Sequence, residues 1–423
     1  MESITAGGTE RQILQIAELL RQGGFETTVA TLRGTEWLTS EIAGCPVYHA
    51  NVLSFWERSS WLELQNLRRW MRRERFHVLT TFFDESSCLG GWLTRGADIP
   101  ALIGARRNLG THVPLQWRIF LRLTNRHVDQ FHANCEAVRQ KVIHFDGIDP
   151  SLVHVVYNGI DLARFDSLHQ QRQAMRDRLG LPADAIVYGM VSGLRPEKGA
   201  GDFLEAARRV IPSSPRAHFV IVGDGEQRKE LEGLLDSQQL RARIQFVGAQ
   251  KDVRPYLAAM DVGVLSSRTE GLSNSILEYL AARLPVIATS VGGNKEAAGC
   301  AGLMVPAKDP AALAVAMQQM QDDVMRRVLS KHAYAQAQCF SLEQAGKRLS
   351  RLYSELLHNK RPDIFPSSSE LESSLQRTTV NTADSAPKTM TAEDKSFVKT
   401  YTEHWQKNPA YFNSQANRST KPA

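Results

Sequence analysis

Two glutamates eight positions apart, Glu270 and Glu278, stand where a bound polyol and its phosphates could be held. They belong to the run Arg268-Thr-Glu-Gly-Leu-Ser-Asn-Ser-Ile-Leu-Glu278. A polar strand end, VGVLSSRT, leads into a turn at Gly271 and then into an amphipathic helix carrying Ile276, Leu277, Leu280, Ala281 and Leu284. Glu270 is thus expected just outside the helix N-terminus. Glu278 falls within the first two turns, its side chain leaning back toward that end. The free N–H groups and positive dipole there suit a diphosphate. A carboxylate beside them can accept two hydrogen bonds from vicinal hydroxyls. The same residues would also serve a capped surface helix with two ordinary glutamates. A second cluster, Ser192-Gly-Leu-Arg-Pro-Glu-Lys-Gly199, puts Arg195 and Lys198 between a strand end and a helix. Two cations at that point make a diphosphate clamp or, more simply, a solvated basic turn. Gly7-Gly8-Thr9-Glu10 opens the first helix, where paired glycines let backbone approach a ligand closely.

These residues need a scaffold, and the chain alternates short β-rich runs with helical patterns throughout, the mark of α/β architecture with parallel sheets. Strands are expected at 27–32, 77–82, 100–104, 131–134 and from 153, with helices such as 9–22, 61–75 and 116–127 between them. Asn158-Gly159 reads as the interdomain turn. The second half repeats the alternation, with strands at 186–193, 218–223, 243–248, 261–267 and 285–290. Helices are expected near 200–211, 225–239, 253–259 and 272–283, then at 310–320, 323–338 and 341–358. The organisation is therefore 1–160, 161–340, a closing helix at 341–358 and a tail at 359–423. The tail turns to Ser, Thr, Pro, Asn and Lys, the composition of a disordered segment, with some helical spacing at 391–406.

Hydrophobic residues at 42% and charged residues at 23% describe a globular chain, and no apolar stretch reaches membrane-span length. MESITAGGTERQ lacks the basic and apolar regions of a secretory signal. Five scattered cysteines without CxxC pairing fit reduced thiols in the cytoplasm and argue against a structural zinc site. A net charge of +6 permits anionic small molecules or a membrane face and does not announce nucleic acid. In 61–76, Leu64, Leu67 and Met71 form a stripe suited to packing on a sheet. The segment 114–127 is more apolar and better suited to contact with a membrane surface.

Taken in order, GGTE, NGID, LRPEKG, VGDGEQR, FVG and EGLSNSILE resemble the family-4 type of GT-B glycosyltransferases, the retaining group with an E-x7-E motif. The resemblance covers roughly residues 7 to 358. It implies two Rossmann-like domains facing across a cleft, with a nucleotide-sugar donor (UDP- or GDP-sugar) held mainly by the second and the acceptor by the first. Lys198 with Arg195 would neutralise the departing diphosphate. Glu278 would bind the donor ribose and Glu270 the transferred sugar. Gly271, Leu272, Ser273, Asn274 and Ser275 would hold phosphates through backbone, Gly8 would admit the donor, and Phe246 and Val247 would meet the base edge. The resemblance implies no metal and no other cofactor. Partners would be the nucleotide-sugar and a glycan or lipid-linked acceptor, at a cytoplasmic site in peripheral contact with a membrane face.

Three departures stand out. The family's usual arginine, five residues before the lysine, is Gly193 here, leaving Arg195 to reach instead. Where many relatives have a histidine the chain reads Ala105-Arg106-Arg107-Asn108-Leu109-Gly110-Thr111-His112, so Arg106, Arg107, Asn108 or His112 would serve donor or acceptor. MESITA holds a single aliphatic residue, Ile4, so the first domain is expected to lack its first strand, with Met1 an internal or misassigned start. A nucleotide-sugar 2-epimerase on the same fold and an inactive sugar-nucleotide-binding scaffold are the competing readings.

Overall fold

The computed structural model describes residues 8–33, 38–52, 57–109 and 115–365. The expected missing first strand, His112 and nearly all of the tail lie outside these residues. No described helix is long and apolar enough to cross a membrane.

Twelve strands are described. In the first half they are β1 (Val29–Thr31), β2 (Val47–His49), β3 (Val78–Phe82), β4 (Ala101–Arg106), β5 (Gln130–Ala133) and β6 (Val153–Val155). In the second they are β7 (Ile186–Val191), β8 (Ala217–Val222), β9 (Ile244–Gly248), β10 (Val262–Leu265), β11 (Val286–Thr289) and β12 (Gly302–Val305). The second-half sheet is wholly parallel and runs β9-β8-β7-β10-β11-β12. This is the doubly wound order in which the winding direction reverses between the first and fourth strands, here β7 and β10. Near-continuous apolar runs such as IVYGMV and AHFVIV are what a sheet covered on both faces requires, and every residue of β7 and β8 is buried. Tyr188, Phe203 and Phe219 fill the core between β7, β8 and the helix Ala200–Val210. Truncating one such ring would cost about 3–5 kcal/mol.

In the first half, β3-β4-β5-β6 form a parallel four-stranded sheet, and β1-β2 a separate parallel pair. Among the described residues no strand joins them. The terminal helix Leu342–Lys360 follows the second half in sequence but packs on the first. Leu349, Leu352, Tyr353 and Leu356 share a core with Ile16, Leu19, Leu20, Ala101 and Ile103. The Tyr353 hydroxyl lies 2.7 Å from Thr80 Oγ1. The chain therefore crosses between halves twice, and the crossings touch: Ile160 N donates to Phe340 O at 2.8 Å and Leu342 N to Ile160 O at 3.1 Å.

Most boundaries match the expectations, with informative exceptions. The helix expected at 225–239 is two short ones, Arg228–Gly233 and Gln238–Arg243. Gly233 ends the first, and the Ser237 hydroxyl caps the second by accepting from Leu240 N. Strands β2 and β12 and the helices Asp84–Ala97, Glu136–Asp146 and Leu168–Arg178 were not among the sequence expectations.

Candidate active site

Open α/β sheets bind ligands outside the carboxyl ends of strands where the winding reverses. Here that point is bounded by the loops after β7 and β10, which carry Lys198 and Glu270. The loops are tied together: Arg268 N donates to Glu197 O at 2.8 Å, and the Ser266 hydroxyl donates to Gly199 O at 2.8 Å. Gly199 has φ +64, and a Cβ there would sit 2.2 Å from Ser266 O, so only glycine brings the Lys198 turn this close to β10. Lys198 Nζ donates to Glu270 Oε1 at 2.7 Å, and the Ser267 hydroxyl donates to the same oxygen at 2.7 Å. Both charged side chains are largely buried (20% and 10% exposed), which makes this a positioned pair rather than a surface one.

Glu270 precedes the helix Asn274–Ala281, and Glu278 is in its second turn, as the spacing requires. The helix is held at its N-terminal end. Ser275 Oγ donates to Val191 O at 2.7 Å. The fully buried Tyr279 hydroxyl accepts from Val191 N at 2.7 Å and donates to Val264 O at 3.2 Å. The helix thereby aims its free N–H groups at the winding reversal. Among the described residues, the Glu278 carboxylate accepts no hydrogen bond, although its backbone carbonyl accepts from Ala282 N at 2.9 Å. Burial pushes its carboxyl up to about 7, with Arg11 and Arg164 only partly opposing the shift. A half-buried carboxylate without donors keeps both oxygens able to accept hydrogen bonds.

The first half closes on this loop. Gly271 packs so tightly that a Cβ there would be 2.2 Å from Arg107 O. Asn158 Nδ2 donates to Asn274 Oδ1 at 2.6 Å, and Asn274 Nδ2 to Gly8 O at 3.3 Å. The Arg107 guanidinium donates to Asn158 Oδ1. Gly8, Arg107, Asn158 and Asn274 thus form one polar network across the seam. Glu296 adds a second link, accepting from Glu136 N at 2.9 Å and from the Tyr157 hydroxyl. Asn158 and Glu296 were missed by the sequence reading. Asn158 lies in an Asn-Gly pair that reads as a plain turn, and nothing local marks Glu296.

The remaining expected site residues are placed less centrally. Arg195 turns outward to Glu197 at 3.0 Å and is 59% exposed, so it does not join Lys198. Gly193 leaves open space, with nothing nearer than 3.8 Å to an added Cβ. Leu272 and Ser273 are buried beneath the helix start. Phe246 and Val247 lie on β9 at the sheet's outer edge, the Val247 carbonyl accepting from Gln250 at 3.3 Å. Arg106 is a structural residue. It donates to Ser87 Oγ at 3.0 Å and Asn125 Oδ1 at 2.8 Å, and its guanidinium lies over the Phe131 ring. Asn108 is exposed. Among the described residues, no group of three or more His, Cys, Asp or Glu side chains could hold a metal ion.

Comparison with known proteins meets this geometry from both sides. A family model described as glycosyltransferase family 4 matches residues 6–164, and one described as glycosyl transferases group 1 matches residues 185–323. The chain is a family-4 glycosyltransferase of the GT-B fold. An Escherichia coli relative, UDP-Gal:alpha-D-GlcNAc-diphosphoundecaprenol alpha-1,3-galactosyltransferase, is 26% identical over 84% of this chain and 95% of its own length. The Rhizobium meliloti lipopolysaccharide core biosynthesis glycosyltransferase LpsE is 27% identical over 78% of this chain and 90% of its own. Among solved structures, Anabaena HepE in complex with UDP-glucose superposes with a TM-score of 0.74 at 22% identity, covering 84% of this chain and 98% of that one. At that identity the likeness speaks for the fold. As a glycosyltransferase the chain has its two Rossmann-like halves in the expected order, with the Glu270–Lys198 pair at their seam.

Proposed function

We propose that this glycosyltransferase moves a sugar from a uridine diphosphate donor to a hydroxyl of a lipid-linked diphosphate saccharide or related glycan, with retention of anomeric configuration and without a metal ion. The observation that carries the reading is the meeting of Lys198, Glu270 and a pinned helix N-terminus at one winding reversal. The donor diphosphate lies at the start of the helix Asn274–Ala281, where dipole and Lys198 together replace the charge of a metal. Glu278 accepts from the ribose hydroxyls and Glu270 from the transferred sugar. The bond between the anomeric carbon and the diphosphate oxygen breaks, and the acceptor oxygen forms the new bond on the same face. The acceptor proton passes to the departing phosphate oxygen, so charge and atoms balance. The nature of the acceptor is suggested by the E. coli and R. meliloti relatives.

A screen of UDP- and GDP-sugars in EDTA, with product anomers read by NMR, tests the reading. Turnover only with added divalent metal, or an inverted product, would remove the corresponding part.

A lipid-linked acceptor also calls for a membrane face. Ile119, Phe120 and Leu123 on the helix Leu115–Asn125 are each more than half exposed, as is Phe145 beside them, whose carbonyl accepts from Arg122 at 3.2 Å. Apolar side chains next to arginine suit an anionic lipid surface. Phe120→Ser with Leu123→Ser is expected to lower partitioning onto phosphatidylglycerol vesicles by about tenfold, with hydrolysis of the free donor unchanged. Equal flotation of wild type and variant would reject this face.

A further inference from the structure

Arg107 stands out because its charge is half-buried and no carboxylate answers it. It follows β4, and its guanidinium donates to Asn158 Oδ1, a neutral amide oxygen. Among the described residues no carboxylate pairs with it. Burial draws its pKa down to about 10, with the Cys135 thiol only partly opposing the shift, and its charge helps to hold the neighbouring His132 imidazole neutral. The buried arginines of this molecule are treated differently. Arg176 shares Asp261 with Arg172, at 3.3 Å and 2.6 Å. Arg106 has Ser87, Asn125 and the Phe131 ring. A guanidinium offers five N–H donors, and Asn158 engages one side of it. Keeping a cation desolvated without a counter-charge is strongly unfavourable, which is tolerable where a ligand brings the missing anion.

The position of Arg107 says which anion. Its carbonyl abuts Gly271 and accepts from Asn134 Nδ2 at 3.1 Å. Through Asn158 its guanidinium is one residue removed from Asn274, the first residue of the helix whose N-terminus faces the seam. The second half is short of uncommitted positive charge at this point: Lys198 is paired with Glu270, and Arg195 with Glu197.

We propose that Arg107 is a diphosphate ligand supplied by the first half, gripping the donor's phosphates through the N–H groups that Asn158 leaves unused. The proposal rests on the donor reading given above. It makes the diphosphate the bridge between the halves, with the helix N-terminus and Lys198 on one side and the Arg107 fork on the other. Bidentate recognition of phosphate by arginine is the geometry this side chain is built for.

Calorimetry with UDP and with uridine tests it. Arg107→Gln removes the charge while keeping a side-chain N–H for Asn158. UDP affinity is expected to fall about tenfold or more, because a charged phosphate contact is lost, whereas uridine affinity should stay within about twofold, since the base and ribose never meet this residue. Arg107→Lys, which keeps the charge without the fork, should fall between, and its melting temperature and uridine binding report whether the seam is intact. An unchanged UDP affinity in Arg107→Gln, or parallel losses for UDP and uridine in both variants, would overturn the assignment and leave the donor site standing. Failure of the wild type to bind either UDP or GDP would instead remove the donor reading, and this proposal with it.

Discussion

Lys198→Ala is expected to lower kcat by about 10²–10³-fold, with a much smaller effect on donor affinity. The ammonium is held 2.7 Å from Glu270 and largely out of solvent, so its field is little screened. In the ground state the diphosphate is still esterified to the sugar. As the anomeric bond breaks, another negative charge develops on the leaving oxygen, and a fixed cation there stabilises the transition state more than the bound donor. The measurement is kcat against the donor dissociation constant, with Lys198→Met as a control for lost packing. Equal losses in both quantities would make Lys198 a plain binding residue. A surviving kcat would mean that the Lys198–Glu270 pair serves only to tie the loops after β7 and β10.

Glu278→Gln is expected to weaken donor binding at pH 8 by about 1–3 kcal/mol, since an amide presents one acceptor oxygen to a diol where a carboxylate presents two. The wild-type pH dependence carries a second signature. With its carboxyl held at about 7 by burial, Glu278 is mostly protonated at pH 6 and mostly ionised at pH 8. Donor affinity should therefore rise about tenfold across that interval and then level off. The glutamine variant should be flat. For folding the sign is opposite. The folded carboxyl titrates above the ordinary value of 4.5, so the unfolded chain sheds its proton first as pH rises. Stability from this group is fully present below about 4.5 and is lost as pH climbs through 7. At pH 8 Glu278→Gln should then melt at a higher temperature than wild type, and near pH 4 the difference should vanish. A wild-type affinity that does not change between pH 6 and 8 would show that this carboxylate does not meet the diol.

Much of this site could be read from the chain because its determinants are local. The Glu270–Glu278 spacing sets both groups around one helix start whatever lies elsewhere, and LRPEKG carries its own turn chemistry through Gly199. β7 and β8 announce themselves as nearly unbroken apolar runs, with His218 the one polar residue. What escaped was set by long-range contact. Asn158 matters through Arg107 and Asn274, residues 51 and 116 positions away. Glu296 acts on Tyr157 and Glu136, 139 and 160 positions away. Arg195 and Lys198 look interchangeable in sequence, and only the turn between them decides that one faces Glu270 and the other solvent. The helix Asp84–Ala97 was hidden by Gly90 and Gly91, which lower helix propensity yet are buried, Gly90 against Thr81 and Leu102 of the sheet and Gly91 against His127. Strands β2 and β12 span three and four residues, too few to show a period.

The placement of the helix Leu342–Lys360 has a consequence for how this protein can be made or divided. The side chains that finish the core around Ile16 and Ile103 are translated some 240 residues after Ile103 itself. During synthesis the amino-terminal half must wait, incompletely covered, until the ribosome has delivered the whole of its neighbour. A cut at Gly159 would yield two fragments, one missing a wall and the other carrying a wall that belongs elsewhere.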